Sequence, residues 1–552
     1  MQRASLLFAM AALLLARPAT CQTSKNPDVA CAGCHKEIYD RYEQTPMARG
    51  SGPALDGLGS FVPGGFRHAP SSVDYRVFLR DSDVWLTYNR DTQPSLHGEL
   101  KLVYFIGSNQ RGRTFLYQQD HRWFQAPINY YSRKALWDMA PGFGAVTSMP
   151  SPLPIDANCL HCHTTGVQTA LPQARNRYAG APFLQSGIGC VSCHGDPAAH
   201  LATQGHAPIV NPDKLAASRR DSTCLQCHLE GDAAVFRANT SPADFRPGDD
   251  LDRYAVYFVK AATQSGGGRA ASQYEALLRS ACKAGVSGKP GAGDKLTCTT
   301  CHDPHSTPTA TERVAFYRAK CLTCHTGTAM ATQHHPEQQD CATCHMPTRN
   351  TIDVSHNQST DHNIQRNPAT ANLRFASLSE STELIPVGNT TVTDRDLGLA
   401  YAQLAERGDR ASGQKALALL TQAEAAGQTD TPVHVQLGFL NQRSGNAARA
   451  REEYEAALKA DPYEPTALGN LAVLDAANGR TVEAIQLLER VIDADPIQTA
   501  AGLNLALIQC RLGDKQKALA TLQTLSRFAP DNPQLHTFLA TGSYAGQRCT
   551  LQ

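Results

Sequence analysis

Fourteen of the 18 cysteines in this 552-residue chain fall into seven copies of one pattern: two cysteines three apart, with a histidine directly after the second. They are Cys31-Cys34-His35, Cys159-Cys162-His163, Cys190-Cys193-His194, Cys224-Cys227-His228, Cys298-Cys301-His302, Cys321-Cys324-His325 and Cys341-Cys344-His345. Random placement of these residue types would give about 0.02 copies. The spacing suits haem attachment. Two thiols bond to the vinyl groups of one haem, and the next residue is carried under the iron as proximal ligand. Zinc sites also use C-x-x-C pairs but need no histidine after every one. Disulfides of so short a span would close loops too small to stabilise much. Seven covalently attached haem c groups are therefore expected, with all fourteen cysteines as attachment points and the seven histidines as proximal ligands.

A six-coordinate iron needs a second ligand on its far face. His305, in CHDPH, stands three residues after His302. It is too close to reach around the same macrocycle, so it is expected to cap a neighbouring haem, each attachment site handing a ligand to the next. Between residues 31 and 365 eleven histidines are not proximal. The distal candidates among them are His68, His200, His305, the adjacent His334 and His335, and His356 and His362, which lie beyond the last motif. His97, His121, His161 and His206 are expected to serve elsewhere. Met47, after the first motif, is a candidate axial ligand that would raise that haem's potential, or else an apolar contact on its face.

These side chains need elements to hold them. His163, His194 and His228 follow one another closely, as do His302, His325 and His345, so their haems must pack together with short helices and loops between. In the long gap after the first motif the pattern changes. Val73, Tyr75, Val77 and Leu79 alternate, then Val84, Leu86 and Tyr88 after a polar turn, then Leu100, Leu102, Tyr104 and Ile106. Alternation of this kind predicts a small antiparallel sheet inserted at 53–150. Its aromatic tail, with Trp123, Tyr130, Tyr131 and Trp137, fits core packing better than a substrate pocket.

The last third carries a 34-residue repeat: Gly445, Gly479 and Gly513; Leu437, Leu471 and Leu505; Ala450, Ala484 and Ala518; Pro462, Pro496 and Pro530. This is the tetratricopeptide period of paired helices, with residues 396–430 as a further, degenerate pair. Such arrays stack into a solenoid with a concave face that binds protein segments. The fold class expected is mostly α: a loop- and haem-rich multihaem cytochrome c domain with a small inserted sheet, followed by an α-α solenoid. The domains are a signal peptide at 1–20, a heptahaem domain at 21–365, a linker at 366–395 and the repeats at 396–546. Cys510 and Cys549 are candidates for a disulfide in an oxidising compartment. Cys282 has no assigned role.

Bulk features narrow the setting. Lys and Arg total 51 and Asp and Glu 50, which gives no bias toward nucleic acid. Each ferric haem with two propionates adds about −1, so the mature holoprotein is expected at a charge of about −8. Arg3, the apolar run Leu6 to Leu15 and Ala19-Thr20 read as a secretory leader, too short to span a bilayer. Export to the periplasm or cell surface, with no transmembrane span, is the expectation.

The stretches CAGCHKEIYDRYEQTPMA, YFIGSNQRGRTFLY, NRYAGAPF, GCVSCHGDPAAH, CLQCHLEGD, LTCTTCHDPH and HHPEQQDCATCHMP resemble exported multihaem c-type cytochromes with C-terminal tetratricopeptide repeats. These belong to the doubled-CXXCH and hydroxylamine-oxidoreductase-like superfamily. The resemblance implies haems packed in parallel and perpendicular pairs, electron transfer outside the cytoplasm, and a distal role for His305. One nitrite-reductase type within it replaces a proximal histidine by lysine, whereas all seven motifs here end in histidine. Two functions follow. The first is an electron carrier between redox partner proteins, docked through the repeat groove to a protein or peptide. The second is a multihaem oxidoreductase with one open iron acting on a small nitrogen or sulfur compound.

Overall fold

The computed structural model describes residues 28–56, 58, 62–108, 112–262, 272–287, 296–325, 339–348, 360–366 and 380–551. The leader and the distal candidates His334, His335 and His356 lie outside the described residues.

The inserted sheet is large. Nine strands form it: β1 (Ser51–Pro53), β2 (Gly64–His68), β3 (Val73–Arg80), β4 (Asp83–Asn89), β5 (His97–Ile106), β6 (Gly112–Gln119), β7 (Arg122–Tyr131), β8 (Leu136–Met139) and β9 (Leu153–Pro154). β2 to β8 pair in chain order, β1 joins β5 and β9 joins β7, all antiparallel. The predicted hairpin is present, with Leu79 opposite Val84 and a turn at Asp81-Ser82. Both turn residues have positive φ, 52° and 65°, as a two-residue turn matching strand twist requires. The alternating residues form one apolar face: Val73, Tyr75, Val77, Val84, Leu86 and Leu102 are all at most 2 % exposed. Trp123, Tyr130 and Trp137 are buried too. A small sheet and a mostly α chain are thus corrected. The outer strands β1 and β9 are two or three residues long and carry no alternation, and they overrun the 53–150 boundary at both ends.

Haem-motif segments fold as expected, into short helices joined by loops; the longest segment bearing a motif is Ala217–His228. Two short strands, β10 (Thr164–Thr165) and β11 (Gln185–Ser186), pair within this region. Farther on, β12 (Ala233–Phe236), β13 (Ala255–Ala262) and β14 (Glu380–Pro386) form a three-stranded sheet. β14 comes from the segment expected to be a linker, so that segment is partly structural.

Four helix pairs follow: Asp394–Glu406 with Arg410–Ala425, Thr431–Arg443 with Ala447–Ala460, Pro465–Ala477 with Thr481–Ala494, and Thr499–Arg511 with Lys515–Phe528. The helix Pro533–Thr541 closes the array. The repeat residues explain the packing. Gly445, Gly479 and Gly513 sit between the paired helices at φ 82°, 77° and 90°, a conformation costly for any residue with a Cβ. Ala450, Ala484 and Ala518 are fully buried at the helix contacts. A Cys510–Cys549 disulfide, with Cα atoms 6.1 Å apart, ties down the C-terminal segment.

The solenoid is fixed to the rest of the molecule at both ends. At its start, Gln403 exchanges hydrogen bonds with the backbone of Ala234 in β12, and Arg237 pairs with buried Asp396. At its far end, Arg90 forms a two-pronged ion pair with Asp531, the side chains being 12 % and 4 % exposed. Phe528 enters the core of the nine-stranded sheet.

Candidate haem-binding sites

Each attachment motif occupies about one helical turn, which puts its two cysteines and its histidine on the same face. In four motifs the turn is closed by the histidine N–H donating to the carbonyl of the first cysteine, His35 to Cys31 at 2.8 Å, His194 to Cys190 at 2.9 Å, His302 to Cys298 at 3.0 Å and His325 to Cys321 at 3.1 Å, whereas His163 donates to Leu160 at 3.1 Å. Buried or capping aspartates start several of these turns. Asp156 accepts from Asn158 and Cys159, and Asp340 from Ala342.

Three proximal imidazoles face a second imidazole at one repeated distance. His35 and His200 lie with ring centroids 6.5 Å apart at 15°, His194 and His305 at 6.1 Å and 11°, and His302 and His362 at 6.2 Å and 29°. Rings in direct stacking contact would approach to about 3.5–4 Å. An iron bound on both sides, at about 2 Å from each nitrogen, puts the ring centroids about 6.4 Å apart. The spacing therefore fits an axial pair on either side of a haem. His302 and His228 are exposed to solvent, although surrounding protein holds both imidazoles below the ordinary histidine value.

Second partners orient these rings. Nδ1 of His194 lies 2.7 Å from the carbonyl of Val210, that of His200 2.8 Å from Ala207, that of His345 2.6 Å from Gln365 and that of His362 3.0 Å from Thr360. An Nδ1–H donated to a carbonyl fixes the tautomer and leaves Nε2 for the metal. Burial first, and then the facing His194, holds His305 below the ordinary value.

The order of capping differs from the expected hand-on to the next site. His200 follows the third motif and faces the first, His305 follows the fifth and faces the third, and His362 follows the seventh and faces the fifth. Each of these three histidines follows a motif two places after the one whose imidazole it faces.

Other sequence candidates are placed differently. His68 is buried at the end of β2 with Nδ1 2.8 Å from Ser71 Oγ and Nε2 3.2 Å from the Gly144 carbonyl. Both of its nitrogens are in use, so it has none to offer an iron. Met47 is half-buried beyond the first motif, its carbonyl accepting from Gly50 and Ile188, and the ring opposite His35 belongs to His200. His161 was passed over by sequence reasoning; its Nε2 is buried with no hydrogen-bond partner among the described residues. Cys282, half-buried, stands near the thiols of Cys301, Cys321 and Cys324.

Sequence reasoning also missed two buried aspartates. Asp28 and Asp221 each stand three residues before the first cysteine of one motif, and each carboxylate accepts from the backbone N–H of the first cysteine of another. Asp28 accepts from Cys190 at 3.1 Å and Asp221 from Cys298 at 3.0 Å. The spacing D-x-x-C-x-x-C-H, present at Asp28, Asp156 and Asp221, is the signal that could have found them.

Three family models match parts of the chain. A model described as "Cytochrome c554 and c-prime" matches residues 145–195, one described as "Doubled CXXCH motif" matches 289–330, and one described as "Tetratricopeptide repeat" matches 442–496 and 475–541. No curated protein matches the chain. Among solved structures, MamA AMB-1 is 23 % identical over 27 % of this chain and 77 % of its own, with a TM-score of 0.24. YrrB, titled a TPR protein with an unusual peptide-binding site, is 18 % identical over 27 % of this chain and 72 % of its own, with a TM-score of 0.23. The cysteine-histidine motifs and the three family matches together identify a multihaem c-type cytochrome that carries tetratricopeptide repeats.

Proposed function

We propose that this chain is an exported electron carrier with seven haems, in which bis-histidine ligation predominates and the repeat solenoid offers its concave face to a protein partner. The observation that carries the reading is the set of three imidazole pairs at 6.1–6.5 Å. Haem c supplies a one-electron iron couple when bound. The chain's own residues do the rest. His35 with His200, His194 with His305 and His302 with His362 would hold the iron from both sides, which would keep the ligands nearly still when the charge changes. Carbonyls of Val210, Ala207 and Thr360 lock the ring orientations. The leader-like start of the sequence supports export, and no helix of the described residues is long and apolar enough to cross a membrane.

A second reading is an oxidoreductase with one open iron. Carbon monoxide separates the two. It binds reduced iron only where an axial position is vacant or weakly held. Haem content of the purified holoprotein, measured per polypeptide, is expected to be seven. Absence of a carbon monoxide shift in its visible spectrum would support the carrier. A shift equal to one haem would move the assignment to the enzyme.

A further inference from the structure

Asp28 and Asp221 are built into the junctions between attachment sites. Asp28 opens the turn that carries Cys31, its carbonyl accepting from Cys31 and Ala32. Its side chain crosses to the third motif and receives the Cys190 N–H, while Gln185 Nε2 donates to it at 2.8 Å. It is fully buried. One carboxylate oxygen and the sulfurs of Cys31 and Cys190 lie within 4.8 Å of one another. Those sulfurs stand in for the thioether links of two different haems. The approach is tight by construction, because a Cβ on Gly189 would fall 2.6 Å from the carboxylate.

Asp221 repeats the arrangement elsewhere. It lies one turn before Cys224 in the helix Ala217–His228, is 4 % exposed, and receives the Cys298 N–H of the fifth motif. Capping alone does not call for a charge. Serine, threonine and asparagine cap about as well, and Thr297 carries a neutral cap at the same turn. Burying a carboxylate costs more than burying a hydroxyl. A function for the charge itself explains its use twice in one chain.

We propose that Asp28 and Asp221 are potential-setting residues, Asp28 for the haems of the first and third motifs and Asp221 for those of the fourth and fifth. A fixed buried anion is weakly screened. It stabilises the more positive ferric state over the ferrous one, so it lowers the potentials of the haems it adjoins. Two such anions divide the haems into low-potential pairs and the remainder, which gives the carrier a built-in gradient. This rests on the motifs holding haem c, and a haem count on the same samples tests that reading separately.

The test is a potentiometric titration of holoprotein variants, followed by visible and electron paramagnetic resonance spectra. Asp28→Asn is expected to move two haems to higher potential and leave the others in place. Asp221→Asn is expected to move a different two. Asp28→Glu should keep the native potentials. Unchanged potentials in both neutral variants, with haem content intact, would overturn the proposal. Asp28→Ser keeps a capping oxygen without the charge, as a second neutral variant. Loss of haem attachment in both Asp28→Asn and Asp28→Ser, with Asp28→Glu intact, would also overturn it, in favour of a role in forming the attachment turn.

Discussion

At the scale of single residues, the imidazole pairs make the sharpest claim. His305 is three residues from His302 yet faces His194. Replacing it by alanine should open the haem held by Cys190 and Cys193, not the one held by Cys298 and Cys301. The expected outcome of His305→Ala is uptake of about one equivalent of carbon monoxide by the reduced protein, with the low-spin signal of one haem lost. A change at the fifth site instead would break the backward order of capping. His200 and His362 make the same kind of prediction for the first and fifth sites. None of this depends on the identity of the redox partners.

At the scale of elements, the solenoid's helix pairs carry a titrating contact of their own. His434 in Thr431–Arg443 and Glu453 in Ala447–Ala460 meet at 2.7 Å, with Glu453 only 2 % exposed. The hydrogen bond to Glu453 outweighs burial and raises the imidazole above its ordinary value. A folded-state value above the unfolded one means the charged form is favoured by folding. The stabilisation is then complete below the unfolded value of about 6.5 and fades as pH rises through the folded one. Denaturant melts of the wild type should lose stability across that interval, and His434→Gln should flatten the loss. An unchanged pH slope in the variant would show that the pair contributes nothing.

At the scale of the whole molecule, the solenoid is attached at both ends. Its first helix docks on β12 and its far end on the large sheet, where Asp531 receives Arg90 and also the backbone N–H of Met149. Arg122 adds a bond to the carbonyl of Asp493. Asp531→Ala leaves Arg90 buried without its carboxylate partner, which costs about 3–5 kcal/mol for a buried pair. The expected outcome is a lower denaturation midpoint together with new proteolytic cuts near residues 529–532. A variant as resistant as the wild type would show that the solenoid is held elsewhere.

Attachment chemistry was legible in the sequence because it is local: one helical turn brings two thiols and an imidazole together whatever surrounds it. The repeats were legible for the same reason, since Gly479 and Ala484 each meet a requirement set within their own helix pair. The β3–β4 hairpin was read correctly because alternation and a polar turn specify it without help from distant residues. What the sequence left open is nonlocal. The imidazole that faces each proximal ring, the second motif that Asp28 or Asp221 reaches and the docking of Asp531 on Arg90 join residues far apart in the chain, and no spacing rule encodes these pairings. His68 shows the difference. It stands in a suitable gap and has the right side chain, yet the fold closes Ser71 and Gly144 around its two nitrogens. Residue type and spacing determine which groups can bind a metal; only tertiary packing decides which nitrogen remains free and which iron it faces.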